Sequence, residues 1–428
     1  MSVLTALSSG TTGLEAASLE LSIVGDNIAN SNTIGFKAGR AAFEDALTQS
    51  VIGGTGEIGL GARLKSVQKI LTQGALTSTG IATDLALQGN GFFVVKGNYN
   101  GQSASFYSRA GQFTIDDNGY MVNLGGLRVQ GFPADETGTV SGLPGDLLVG
   151  TASAQPAQTS EITFKANLSS DAAIQAFDPT NPNATSEFNT TVSVFDSLGS
   201  EHKMQVFFTK TATNPGAWAW NAMLDGAELT GGTAGTRQVV ANGTLTFDNE
   251  GRLQAQTQAS TFNPIGATNP QALDFNFGDD IASGGTGLAG VSQFASASSA
   301  TFIGQDGYGS GQLSSVRIDA EGYVAGIFTN GQTRVLGQVA VASFSAPDQL
   351  ERVGGNLLQQ TQSSGQPVVG DPGSGGRASI ISGSLEQSNV DLAQQFVRMI
   401  AAQRSFQANS KTITTADQLL TELINLRR

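Results

Sequence analysis

Residues 54–59 read GTGEIG, the glycine spacing with which a strand-to-helix turn brings backbone amides against a pyrophosphate. That chemistry needs a strand before the motif and a helix after it. Here residues 40–50 look helical and residues 62–70 strand-like, so the order is reversed and the glycines read as linker. IDDNG at 115–119 carries part of a calcium loop but lacks the later bidentate Glu. Adjacent carboxylates at Glu44–Asp45, Asp135–Glu136 and Asp279–Asp280 offer no acid set apart from a base and read as solvated faces. His202 is the sole histidine, and the chain has no cysteine. Thiolate metal sites, disulfides and cysteine nucleophiles are therefore excluded, and a zinc site has no ligand set. No catalytic, cofactor-binding or metal-binding residue is assigned, and the chain reads as a non-enzyme.

The elements that could have positioned such groups instead suggest a scaffold. With 428 residues the chain is long enough for two or three domains. Charged residues make up only 13% and glycines number 55, the composition of a turn-rich β protein with an uncharged polar surface. A net charge of −13 disfavours nucleic acid and anionic membranes as partners. The N-terminus lacks a basic region followed by an apolar run, so export would proceed without a cleaved signal. Four segments share the order apolar, Asp, two residues, Gly: IDDNG (115–119), FDSLG (195–199), FDNEG (247–251) and IDAEG (318–322). Each predicts a hairpin loop whose Asp opens the turn and whose Gly takes positive φ.

Both ends predict amphipathic helices. Leu7, Leu14, Leu21 and Ile28 recur every seven residues over a helix expected at 4–29. Leu385, Leu392, Met399, Phe406, Ile413 and Leu420 keep the same interval, with Phe396 alongside, over a helix expected from 384 to 428. Asn389, Gln403 and Ser410 fall along the stripe's edge, where polar groups can set register. The helices could pack within one chain. Narrow stripes at the extreme ends, reached through glycine-rich segments, favour subunit–subunit contact instead. The expected hinges are Gly53, Gly54, Gly56 and Gly59 on one side and Gly373, Gly375 and Gly376 on the other.

The fold class that follows is mixed, mainly β, with discontinuous β domains nested inside a coiled-coil domain made by the N- and C-terminal helices. The expected divisions are a helical polymerisation domain (1–35 and 384–428), a linker region (36–79 and 361–383), an inner β domain (80–149 and 301–360) and an inserted outer β domain (150–300).

NIANSNTIGFK (27–37), DLALQGNGFFVV (84–95), VGGNLL (353–358) and the run from 384 to 420 resemble, in order, segments of the bacterial flagellar rod and hook family. The middle of the chain carries no family motif. Its large insertion makes hook-type subunits the nearer likeness, because rod proteins are typically much shorter. The resemblance implies a self-assembling tube, with paired terminal helices around an export channel and β domains that slide as the joint bends and transmits torque. It also implies distal rod, hook cap and hook–filament junction proteins as neighbours, secretion by the flagellar export apparatus, and a place in the basal body and hook outside the cell. A distal rod or junction subunit with the same ends remains open, as does, more remotely, a secreted glycan-binding or glycan-cleaving β protein.

Overall fold

A computed structural model describes residues 3–46, 49–50, 57–58 and 61–425. Gly53, Gly54, Gly56 and Gly59, half of the expected hinge, lie outside the described residues. The chain divides into two compact units. The first comprises residues 1–152, 314–327 and 333–428, and the second residues 153–313 and 328–332.

In the first unit the N-terminal helix (Val3–Ala29) pairs with the C-terminal helix (Leu392–Asn425). The pair is antiparallel, since Asn27 meets Gln395 while Gly10 lies against Ile413. The N-terminal helix matches its expected span. The C-terminal helix begins eight residues later than expected: Ser384–Glu386 is a strand paired with Leu76–Ser78, so Leu385 is buried in β structure. Asp391 supplies the stop that periodicity alone missed, its Oδ1 accepting from the amides of Ala393 (2.9 Å) and Gln394 (3.2 Å) as an N-cap.

Residues 40–50, expected to be helical, include the strand Gly39–Asp45, which pairs antiparallel with Ala62–Lys69. Cross-strand partners override the helical propensity of Ala41 and Ala42. Leu85–Gln88 pairs with Ser379–Ser382, and Phe92–Tyr99 pairs with both Gln102–Ser108 and Arg128–Pro133. Beneath them Phe92, Val94, Tyr107, Ala342 and Leu350 form a core cluster, and Phe93 meets Phe113 edge to face at 5.1 Å. The second expected linker carries the strands Val368–Gly370 and Ser379–Ser382; Gly373, Gly375 and Gly376 sit between them at positive φ.

The second unit is β throughout, apart from single helical turns. Phe188–Phe195, Glu201–Thr213, Gly216–Asp225, Arg237–Phe247 and Leu253–Ser260 form an antiparallel meander in chain order. A smaller sheet is centred on Glu161–Ser169, flanked by Asp274–Asn276 and Ser292–Phe294 in parallel and Ser299–Gln305 antiparallel. Their apolar faces enclose Phe164, Phe208, Trp218, Trp220, Phe247, Phe262 and Phe277.

All four expected hairpin turns form. In each, the Gly amide donates to the carbonyl of the Asp, at 2.9 to 3.1 Å, and the Gly adopts φ of 79 to 84°. The Asp side chain accepts from the amide four residues on at all four sites. Asp135 to Gly138 makes a fifth such turn, with Oδ1 accepting from the amides of Thr137 and Thr139. Its pattern, Ala134 then Asp, two residues and Gly, was the same signal.

Candidate assembly surface

Small side chains occupy the middle of the helix seam. Gly10, Ala17 and Val24 of the N-terminal helix, and Gln395, Ala402 and Ala416 of the C-terminal helix, are buried. A Cβ on Gly10 would stand 2.9 Å from Ile413, and one on Gly13 2.6 Å from the Asn409 amide, so these glycines permit the close approach. Leu7, Leu14, Leu21 and Ile28 lie three or four positions from the small residues and are half-buried at the seam's edge. Met399, Ile413 and Leu420 are likewise half-buried.

Other large apolar side chains of the C-terminal helix stay exposed. Leu392, Phe396 (50% exposed), Val397 (68%), Ile400 and Phe406 (41%) remain open to solvent in the single chain. A helix turns 100° per residue, so the row through 395, 402, 409 and 416 faces the partner helix while Leu392, Phe396 and Ile400 fan onto the adjoining face. The seven-residue spacing thus covers two surfaces. One is satisfied within the chain and one is not.

Polar anchoring concentrates where the two helices join the β structure. Asn27, buried near the end of the N-terminal helix, donates Nδ2 to the Gly39 carbonyl (2.8 Å) and to Gln395 Oε1 (3.1 Å), and its Oδ1 accepts from the Gly39 amide. This pair, rather than Gln403 or Ser410, places a buried polar group in the seam. Asn389 accepts from the Ala38 amide and donates to the carbonyls of Ile70 and Thr72. Asn356 donates to the Ile34 carbonyl at 2.8 Å. Arg352 lays its guanidinium over Phe36, 4.7 Å from the ring centroid, and bonds the Lys37 carbonyl. Gly35 has φ of 71°, and a Cβ there would stand 2.5 Å from the Ala110 amide nitrogen, so only glycine fits.

At the centre of these anchors Glu386 is fully buried. Its Oε1 accepts from Lys37 Nζ at 2.6 Å and the Gly74 amide at 2.8 Å, and its Oε2 from Arg109 Nη1 at 3.2 Å. Its main-chain carbonyl accepts from the Gly35 amide. Lys37 also donates to the Thr72 carbonyl, and Arg109 to the Gly89 carbonyl. Burial holds the Lys37 ammonium below the ordinary lysine range despite Glu386 beside it, and the Arg109 guanidinium is lowered for the same reason. No sequence spacing announces this triad, because Glu386 stands 349 residues from Lys37 and 277 from Arg109.

His202 is buried in the second unit, with Nδ1 2.7 Å from Glu228 and Nε2 3.3 Å from Asp196. Neither carboxylate bonds a hydroxyl side chain there. Among the described residues no cluster of His, Cys, Asp or Glu could hold a metal ion, and no helix is long and apolar enough to cross a membrane.

A helix pair closed by small residues, anchored by a polar joint and left with an apolar face, belongs to a class of axial subunits, and four families match along the chain. They are described as flagella basal body rod protein (residues 7–37), flagellar hook protein FlgE/F/G D1 domain (86–175), flagellar basal body protein FlaE D2 domain (164–308) and flagellar basal body rod FlgEFG protein C-terminal (381–426). Flagellar hook protein FlgE of Borreliella burgdorferi is 36% identical, with 98% of this chain and 99% of that protein covered. Those of Salmonella typhimurium and Escherichia coli are each 34% identical, covering 98% and 99% of this chain and 99% and 100% of theirs. The chain belongs to the flagellar hook protein FlgE family.

Proposed function

We propose that this chain is the structural subunit of a flagellar hook, polymerising into a flexible tube that passes motor torque to the filament. The observation that carries this reading is the apolar face of Leu392, Phe396, Val397, Ile400 and Phe406, which the single chain leaves uncovered on an otherwise well-paired helix. Side-by-side packing of many copies would bury it, each side chain contributing about 1.5 to 3 kcal/mol before ordering costs. The subunit interface also includes the seam-edge residues Leu7, Leu14, Leu21, Ile28, Met399, Ile413 and Leu420. Leu385 stands apart, as it is committed to a strand within the chain. The glycines of the two connections act as hinges between the nested domains.

In this reading the tube's ends meet distal rod, hook cap and hook–filament junction proteins. The subunit travels through the flagellar export apparatus without a cleaved signal, and its role is mechanical rather than catalytic. Electron micrographs of the purified chain, concentrated under assembly conditions, test the proposal. Curved tubes are the expected result; straight rods would point to a rod subunit, and a chain that stays monomeric throughout would overturn it.

A further inference from the structure

We propose that Glu386 is a positioning residue that sets the angle between the terminal helix pair and the β structure of the first unit, and through that angle the helical form of the tube. The inference rests on the assembly reading above and goes beyond it. Glu386 gathers three separate stretches of chain, through its carboxylate and its main-chain carbonyl. Lys37 and Gly35 lie just past the N-terminal helix, and Gly74 lies in the loop before the strand Leu76–Ser78. Arg109 follows the strand Gln102–Ser108 and is itself tied to the Gly89 carbonyl. Glu386 in turn stands six residues before the C-terminal helix begins at Leu392.

The ion triad therefore lies close to where both helices join the β structure, beside the Asn27–Gln395–Gly39 contact. It is buried: the Lys37, Arg109 and Glu386 side chains are 5%, 5% and 0% exposed. A buried carboxylate with both oxygens engaged has few alternative geometries, since moving the segment of Lys37 or of Arg109 away from it would leave a charge unpaired. Asn27, Asn389 and Arg352 surround it with further directional bonds, which stiffen the same joint. In a tube, a small fixed angle within each subunit accumulates over many copies into curvature and pitch. The triad thus acts as the rigid corner of the subunit, and bending is taken up elsewhere.

The test is Glu386→Gln in the full chain, which preserves side-chain shape and removes the charge, beside Leu147→Ala, which opens a cavity in the same unit near Gly131 and Gly337, away from the triad. Tube curvature and pitch are measured by electron microscopy, and thermal midpoints of the monomers in parallel. The expected result is Glu386→Gln tubes with curvature outside the wild-type range, while Leu147→Ala tubes keep wild-type form at a comparable loss of stability. Wild-type curvature in Glu386→Gln, or the same altered curvature in both variants, would overturn the proposal. Should Glu386→Gln form no tubes, Arg109→Lys decides: it keeps the cation but loses the fork. Altered curvature there supports the role, and wild-type curvature removes it. Failure of the wild-type chain to form tubes would count against the assembly reading instead.

Discussion

At Asp196 and Asp248 a short sequence signal becomes a chemical property. Burial opposes ionisation of both, yet the Ser200 amide and the His202 ring hold the Asp196 carboxyl below the ordinary aspartate range, and the Arg252 amide and guanidinium do so for Asp248. A carboxyl that binds its proton more weakly when folded adds stability that is fully present above its unfolded value, about 4, and is lost as pH falls through the lower folded value. The second unit should therefore lose stability below about pH 4. Asp196→Asn should flatten that loss, as read by the fluorescence of Trp218 and Trp220, the only tryptophans and both fully buried in that unit. If the acid slope is the same in the variant, other groups govern it. These turns were legible because Asp and Gly act on amides within four residues of themselves. Gly35 was visible as part of NIANSNTIGFK, but its cause lies at Ala110, far along the chain. Gly35→Ala should cost about 1 to 2 kcal/mol for left-handed backbone alone, with the clash adding to it. Far-UV ellipticity should show a midpoint lowered by at least about 2 °C. An unchanged midpoint would mean the turn relaxes freely.

At the scale of elements, the sequence showed two helices of matching period but not which face each would bury. Leucine recurrence drew attention to Leu7, Leu14, Leu21 and Ile28, whereas the seam closes on Gly10, Gly13 and Ala17, residues too small to stand out in a hydrophobic pattern. The start of the C-terminal helix was hidden for a related reason. Leu385 fits the seven-residue interval, yet its segment has a strand partner at Leu76–Ser78 more than 300 residues away. Helix period and strand pairing compete for such a residue, and only the long-range partner settles the outcome. The leftover apolar face gives the sharpest test of assembly. Phe406 is 41% exposed in the single chain, so Phe406→Asp should leave the monomer's fold intact. Between packed helices the same carboxylate would be unpaired at every subunit, at a cost of roughly several kcal/mol. Polymerisation should be lost while the tryptophan-monitored melt stays at its wild-type midpoint. Ordered tubes from the variant would show that Phe406 lies off the assembly surface.

Over the whole molecule, the shift in composition near residue 150 and the end of the second unit at residue 313 describe a block with its own closed core. Its far boundary was harder to read than its near one. The strand Gly311–Ile318 runs across the division, and residues 328–332 join the second unit from a hairpin otherwise in the first, so the boundary expected at residue 300 falls short of the return. A core of this kind, with Phe164, Phe208, Trp218, Trp220 and Phe277 sealed between the meander and the smaller sheet, owes little to the rest of the chain. Replacing residues 153–313 by a short Gly-Ser linker should leave the first unit able to fold, with helical ellipticity retained and a single cooperative transition. The segment 153–313 expressed alone should keep its buried tryptophan emission and melt near the midpoint that fluorescence reports in the full chain. The two halves of the experiment check each other. A shortened chain that melts gradually would mean that the first unit borrows stability from the block removed. An isolated block with exposed, red-shifted tryptophans would mean that the turn at 328–332 completes its core, and that the insertion is a domain only in the company of its host.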